Sequence, residues 1–65
     1  MSLREIEVLR ILADGNTNKM VAQELDISED TVKTHMKNIL QKLGASDRTH
    51  AVTIAVQRGF LKPTE

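Results

Sequence analysis

The chain contains no cysteine, tryptophan or tyrosine, and only one proline and one phenylalanine. The absence of cysteine excludes disulfide bonds and thiolate metal sites. No apolar run approaches the roughly 18 consecutive residues that a membrane-spanning helix requires. These absences favour a soluble protein of a reducing compartment, and a cytoplasmic location is the simplest expectation.

The chain also has no net charge, because nine basic side chains balance nine acidic ones. The two signs are nevertheless separated along the sequence. Residues 1–30 carry three basic and seven acidic side chains, a balance of −4, whereas residues 31–65 carry six basic and two acidic ones, a balance of +4. Since the local field governs attraction to phosphate, the positive half remains a candidate for nucleic-acid binding.

Helix start and stop signals divide the 65 residues into four predicted helices within one small domain. Ser2 and Glu5 form a capping-box pattern, and glycines follow the first, third and fourth apolar segments. Thr17, Ser28 and Ser46 are the expected N-caps of the other helices. The predicted helices cover roughly residues 3–14, 18–25, 29–43 and 47–58, and Pro63 falls in a short tail. No run alternates in the manner of a strand, so we expect an all-α, four-helix fold.

Helical periodicity predicts which residues face the core. On the first helix these are Leu3, Ile6, Leu9, Leu12 and Ala13. On the third helix an arc of about 100° contains Val32, Met36, Ile39, Leu40 and Leu43. The opposite arc of the third helix contains Asp30, Lys33, Thr34, Lys37 and Gln41. A polar outer face alone is typical of any solvated helix.

The segment before the third helix changes that interpretation. Ala22 permits close approach of the second helix, and Asp26 tolerates the left-handed backbone that a tight interhelical turn often needs. Burial of Leu25 and Ile27 would fix the angle between the two helices. A helix braced in this way fits the DNA major groove, so the pattern predicts a helix-turn-helix DNA-binding module.

Residues 15–49 resemble the LuxR-type helix-turn-helix domain, the effector end of NarL/FixJ-type response regulators and of quorum-sensing regulators. The likeness is carried by Thr31-Val32-Lys33-Thr34-His35, Asn38-Ile39 and Lys42-Leu43-Gly44. The opening Leu3-Arg4-Glu5-Ile6-Glu7-Val8-Leu9 matches the first helix of the family, so the likeness covers residues 2–61. The resemblance implies sequence-specific binding of double-stranded DNA for transcription regulation. Residues 1–65 are either one domain excised from a longer regulator or a protein that acts alone. The resemblance favours excision, with an N-terminal regulatory domain outside this sequence.

The resemblance assigns roles to individual positions. Lys33, Thr34 and Lys37 match the recognition-helix positions that read base edges. Positions that contact phosphates or lie beside them are matched by Thr17, Asn18, Lys19, Thr31, His35, Lys42 and Ser46, and Gln41 of the outward face is added to them. The chemistry agrees, because lysine ammonium groups can donate to guanine O6 and N7 and a threonine methyl group can pack on thymine. The first N–H groups of the second, third and fourth helices also suit phosphate oxygens.

The fourth helix is expected to support a homodimer. Ala51, Ile54 and Ala55 are expected to face inward, and the opposite arc contains Thr49, Val52, Thr53 and Val56. Small domains always leave some apolar surface in water, which is the alternative explanation of this face. Because one copy offers few cations for counterion release, two copies on repeated half-sites would bind better than one.

Other functional classes remain as alternatives. His35 and His50 are the candidate general bases of an enzyme, but no nucleophile–base set, phosphate-binding glycine loop or metal-ligand spacing accompanies them. We therefore expect no catalytic activity, cofactor or metal. A helical protein-interaction module and a domain like region 4 of sigma factors remain open, although Asp47-Arg48-Thr49 and the paired fourth helix favour the LuxR type.

Arg48 has two interpretations. One is a structural ion pair with Glu5 or Glu7 of the first helix, and the other is a contact with DNA. We expect the ion pair, because a guanidinium in a folded domain prefers the fork of a carboxylate.

Overall fold

The four predicted helices are all present in a computed structural model, which describes residues 1–62. They are α1 (Leu3–Ala13), α2 (Asn18–Leu25), α3 (Glu29–Leu43) and α4 (Arg48–Gln57). The described residues contain no strand, so the all-α prediction is confirmed. The first and last helices are slightly shorter than predicted. The short tail expected at Pro63 lies outside the described residues.

Local capping explains where α1, α2 and α3 begin. The Ser2 hydroxyl accepts from the Glu5 N–H at 3.2 Å, and a Glu5 carboxylate oxygen accepts from the Ser2 N–H at 3.0 Å. Thr17 caps α2 and Ser28 caps α3 by accepting backbone N–H groups at 3.2 and 3.1 Å. Gly44 ends α3 in the left-handed conformation, with φ of 66°. All these predicted caps are confirmed.

The predicted N-cap of α4 is wrong by one residue. Asp47 is the cap, because its carboxylate accepts the His50 N–H at 2.8 Å. The Ser46 N–H instead donates to His50 Nδ1 at 3.2 Å. Serine and aspartate are both good caps, so the sequence pattern does not separate two adjacent candidates. As a consequence, α4 begins with a negative charge.

The helix α3 lies at the centre of the domain, since it packs more extensively against each of the other three helices than those helices pack against one another. The core consists of Val8, Leu9, Leu12, Val21, Ala22, Val32, Met36, Ile39, Leu43, Ala51, Ala55 and Leu61. Leu40 and Ile54 were expected inside but are only half-buried. Both pack against the edge of the core, where one side of each remains in contact with water.

The buried face of α1 differs from the prediction. Leu3 is 81% exposed and Ala13 is exposed, because both stand at the ends of the helix beyond the reach of the core. Glu5 is buried instead, together with Val8. A buried carboxylate is tolerated only where it has polar partners, and those of Glu5 are described below.

The turn between α2 and α3 sets how α3 is presented. Asp26 adopts φ 57° and ψ 47°, the left-handed conformation expected from the sequence. The Ile27 N–H donates to the Ala22 carbonyl at 2.9 Å, which closes the turn. Leu25 and Ile27 are half-buried and pack against the core. The short turn therefore holds the apolar face of α3 against the core and leaves the polar face of α3 exposed.

Candidate nucleic-acid interface

The polar arc of α3 is exposed, as predicted. Asp30, Lys33, Thr34, Lys37 and Gln41 are all exposed, whereas the residues on the opposite side are buried. The helix thus presents one continuous polar ridge and keeps its apolar stripe in the core. The exposure of this ridge is confirmed, while the DNA-binding roles of its residues stay predictions.

The two lysines of this ridge have no acidic partner among the described residues. Within residues 1–62, ion pairs join only Arg4 to Glu7 and Lys42 to Glu5. The ammonium groups of Lys33 and Lys37 therefore have no carboxylate acceptor within residues 1–62, and their N–H donors are available to a ligand. Thr34 between them donates its hydroxyl proton to the Asp30 carbonyl at 3.1 Å, which leaves its acceptor lone pairs available. The arrangement can donate to acceptors on a ligand surface.

The residues predicted to contact phosphates lie on α3, at the start of α2 and just before α4. Thr17, Lys19, Thr31, Gln41, Lys42 and Ser46 are exposed, whereas Asn18 and His35 are half-buried. The Thr31 hydroxyl lies 2.8 Å from the Ser28 hydroxyl at the start of α3. The first N–H groups of α2 have no partner inside that helix. Both helix starts thus offer polar hydrogen atoms to a ligand.

Lys42 differs from the other lysines of α3. Its Nζ atom lies 2.8 Å from Oε1 of Glu5, whose side chain is only 5% exposed, while the Lys42 side chain is 52% exposed. The hydrogen bond from Lys42, and after it the one from the Ser2 N–H, lowers the pKa of Glu5 from 4.5 to about 2, against the opposing effect of burial. Lys42 therefore ties the end of α3 to the start of α1. Its phosphate contact remains a prediction.

The expected ion pair of Arg48 is wrong. Its guanidinium donates to Oδ1 of Asn18 at 3.1 Å and has no carboxylate partner in residues 1–62. Glu5 pairs with Lys42, and Glu7 pairs with Arg4. Arg48, the first residue of α4, instead lies beside Asn18, the first residue of α2. A neutral amide leaves the guanidinium charged, with further N–H groups to donate. Sequence reasoning therefore undervalued Arg48 as a candidate binding residue.

The predicted dimer face of α4 is divided. Thr49 and Thr53 are exposed, and the Thr53 hydroxyl donates to the Thr49 carbonyl at 3.1 Å. Val52 and Val56 are half-buried rather than fully in water, because they pack partly against the core. Both valines also line an open groove next to Phe60. The exposed part of α4 is thus a mixed threonine and valine surface.

Three other features of the described part of the chain bear on its function: metal-binding groups, the two histidines and membrane-spanning helices. Residues 1–62 contain no group of three or more histidine, cysteine, aspartate or glutamate side chains that could hold a metal ion. His35 lies on α3, whereas His50 lies on α4 and contacts Ser46. None of the helices in this range is long and apolar enough to span a membrane.

Comparison with known proteins gives consistent matches. The family model described as bacterial regulatory proteins of the luxR family matches residues 1–55. The transcriptional regulatory protein DegU of Brevibacillus brevis is 47% identical over 62 residues, which are 95% of this chain and 26% of DegU. LiaR of Bacillus subtilis (strain 168), also a transcriptional regulatory protein, is 51% identical over 55 residues, or 85% of this chain and 26% of LiaR.

A solved structure is also similar to this chain. It is that of the response regulator ChrA in a heme-sensing two-component system, with 48% identity and a TM-score of 0.89. The match covers 92% of this chain and 30% of ChrA. The chain therefore spans less than a third of the length of these relatives.

Proposed function

This chain belongs to the luxR family of bacterial regulatory proteins and is a helix-turn-helix DNA-binding domain of transcriptional regulators, and we propose that α3 enters the DNA major groove. The family is one of transcription regulators and not a class of enzymes. The observation that carries the proposal is the exposed ridge on which Lys33 and Lys37 have no acidic partner in residues 1–62. An α-helix about 10–12 Å in diameter fits a major groove about 12 Å wide.

Base recognition is assigned to three residues of the ridge. Lys33 and Lys37 are one helical turn apart and donate to guanine O6 and N7, while Thr34 contacts thymine through its methyl group. The start of α2, with Thr17 and Lys19 exposed, lies against the phosphates on one side. These backbone contacts position α3 but do not select the sequence.

Dimerisation on DNA would use the exposed surface of α4. Thr49, Val52, Thr53 and Val56 pair with the same residues of a second copy across a two-fold axis. Support comes from the two half-buried valines, which leave apolar surface next to an open groove. Two copies then read two half-sites and gain affinity from their linkage.

The domain serves, in this proposal, as the effector end of a longer response regulator. Its relatives extend far beyond the matched region, since the match covers 26% of DegU and 30% of ChrA. An N-terminal regulatory domain would control when α3 and α4 become available. In this proposal, phosphorylation or ligand binding in that domain supplies the input.

Selection of bound duplexes from a random pool tests the DNA-binding proposal. We expect enrichment of a defined motif and a log-linear fall of affinity with salt. As a matched pair, Lys37→Ala should alter the enriched motif, whereas Arg4→Ala, which removes a charge paired with Glu7 on α1, should not. If no motif is enriched above the starting pool, the proposed reading of base edges by α3 is wrong, and a protein-interaction role becomes the better explanation of the ridge.

The dimer surface has its own test. Val56→Asp places a charge on the pairing face, so cooperative binding to a duplex with two half-sites should be lost while binding to one half-site persists. Because Val56 is half-buried, Thr53→Asp provides the same charge at an exposed position without disturbing the core. Gel-shift titration on both duplexes measures the effect. Full cooperativity in both variants would place the interface elsewhere.

A further inference from the structure

We propose that Asp30 is a specificity-determining residue that accepts a hydrogen bond from the N4 amino group of a cytosine in the major groove. The inference rests on the proposed function, since it requires α3 to lie in that groove. It concerns an acidic residue on a surface otherwise assigned to cations. The general chemistry of DNA binding does not require a carboxylate there.

Asp30 lies in the first turn of α3, on its outward face. Asp30 is the second residue of the helix, and it is exposed. At about 100° per residue, Asp30, Lys37 and Gln41 cluster at the centre of the arc opposite the buried stripe. The Thr34 hydroxyl donates to the Asp30 carbonyl, so the two residues are direct neighbours on that arc. Residues near the N-terminus of a recognition helix are the ones that reach base edges.

The Asp30 carboxylate is available to a ligand. Within residues 1–62, Asp30 has neither an ion pair nor a side-chain hydrogen bond, although Lys33 follows one turn later. A carboxylate between two rows of phosphates is repelled, and its desolvation is costly unless it gains a hydrogen-bond donor. The bound state therefore favours sequences that supply such a donor.

Base chemistry then selects the partner. Only the amino groups of cytosine and adenine donate in the major groove. Adenine places its N7 acceptor beside the N6 amino group, which repels a carboxylate. Cytosine presents its N4 amino group alone, and acidic side chains accept from it. Asp30 thus rewards a cytosine and penalises other bases, so it contributes to specificity by repulsion as well as attraction.

A structural role in capping is the competing explanation, and Glu29 separates the two. Both residues lie in the first turn of α3, where a negative charge complements the helix dipole. Glu29, however, falls about 100° away from Asp30, on the side of the buried stripe and outside the ridge. Glu29 and Asp30 are both acidic, both in the first turn and both exposed, but only Asp30 faces the centre of the arc.

Selection from a random duplex pool with wild type, Asp30→Asn, Asp30→Ala and Glu29→Gln tests the inference. We expect the wild-type motif to contain a cytosine whose replacement weakens binding about tenfold or more. Asp30→Ala should lose that preference and keep the rest of the motif. Asp30→Asn should shift the preference toward adenine, because an amide pairs with N6 and N7. Glu29→Gln should retain the wild-type motif.

The outcomes distinguish this inference from the function on which it rests. If the wild type enriches no motif, the proposed function fails. If the wild type enriches a motif that Asp30→Ala reproduces unchanged, only the role of Asp30 is overturned. A loss of the same base preference in Glu29→Gln also overturns it, because the effect would then be one of general charge. Thermal melting of each variant verifies that the fold is retained, and Asp30→Asn preserves the size of the side chain.

Discussion

The two ends of α3 use the same residue types for different purposes. In the first three turns, Lys33 and Lys37 stand exposed without an acidic partner in the described residues. In the last turn, Lys42 is held at 2.8 Å from the buried carboxylate of Glu5. A lysine is thus available for binding at one end and joins two helices at the other. Tertiary packing, and not the identity of the residue, decides which role it takes.

Removal of Glu5 should have the largest effect on stability, because it disconnects the end of α3 from α1. Glu5→Ala deletes half of the α1 capping box and leaves Lys42 without its partner. We expect the free energy of unfolding to fall by about 2–3 kcal/mol, the sum of a lost cap and a lost charge-assisted hydrogen bond. Urea denaturation followed by circular dichroism measures the loss.

Glu7→Ala is the control for this prediction. Glu7 lies two residues along α1 and is exposed, with Arg4 at 3.9 Å. Its removal should change stability by no more than about 0.5 kcal/mol, because exposed ion pairs contribute little. Equal losses in the two variants would mean that the junction between Glu5 and Lys42 has no special role.

Substitution of single lysines should separate the binding role of Lys37 from the structural role of Lys42. Lys37→Ala should weaken binding to the selected duplex by roughly 1–3 kcal/mol and relax the preference at one base, with little change in stability. Lys42→Ala should instead lower stability, because it leaves the buried Glu5 carboxylate with one partner fewer. Loss of its predicted phosphate contact should weaken binding to every duplex to a similar extent, without a change of base preference. Titration of matched and mismatched duplexes, together with melting curves, separates the two patterns. Interchangeable effects would contradict the division of α3.

The sequence was sufficient for most features whose deciding contacts are local. The Ser2, Thr17 and Ser28 caps lie three residues from their partners, and the left-handed turn at Asp26 involves its immediate neighbours. The helical period also identified the outward ridge of α3, because burial on a helix repeats with its geometry. Family resemblance added the function, which periodicity alone does not specify.

Long-range contacts account for what was missed. The partner of Lys42 lies 37 residues away, and the partner of Arg48 lies 30 residues away. Both contacts depend on the angles between helices, which the sequence pattern does not give. The burial of Glu5 was missed for the same reason, because periodicity treats every carboxylate as an outward residue. The adjacent caps Ser46 and Asp47 were inseparable on chemical preference alone.

The pH dependence of stability offers a smaller test of the joined end of α3. The pKa of Glu5 is lowered to about 2 in the folded domain, from an ordinary value of 4.5. A depressed carboxyl pKa stabilises the fold above pH 4.5, and this contribution is lost as the pH falls from 4.5 toward 2. Melting temperature measured across that range should decline more steeply for the wild type than for Glu5→Gln. Parallel curves would show that another carboxylate dominates acid unfolding.

Arg48 offers the finest test, because it belongs to neither end of α3. It is exposed and charged like Lys37, yet it is held by a neutral amide at 3.1 Å, so its position is fixed without loss of charge. If it contacts a phosphate, Arg48→Ala should weaken binding to every duplex by a similar factor and reduce the salt-dependence slope by about one. Asn18→Ala should produce a smaller loss with an unchanged slope, since it removes the support and leaves the charge. An altered base preference in Arg48→Ala would instead mean that the guanidinium reads a base, and an unchanged affinity would leave it a purely structural link between α2 and α4.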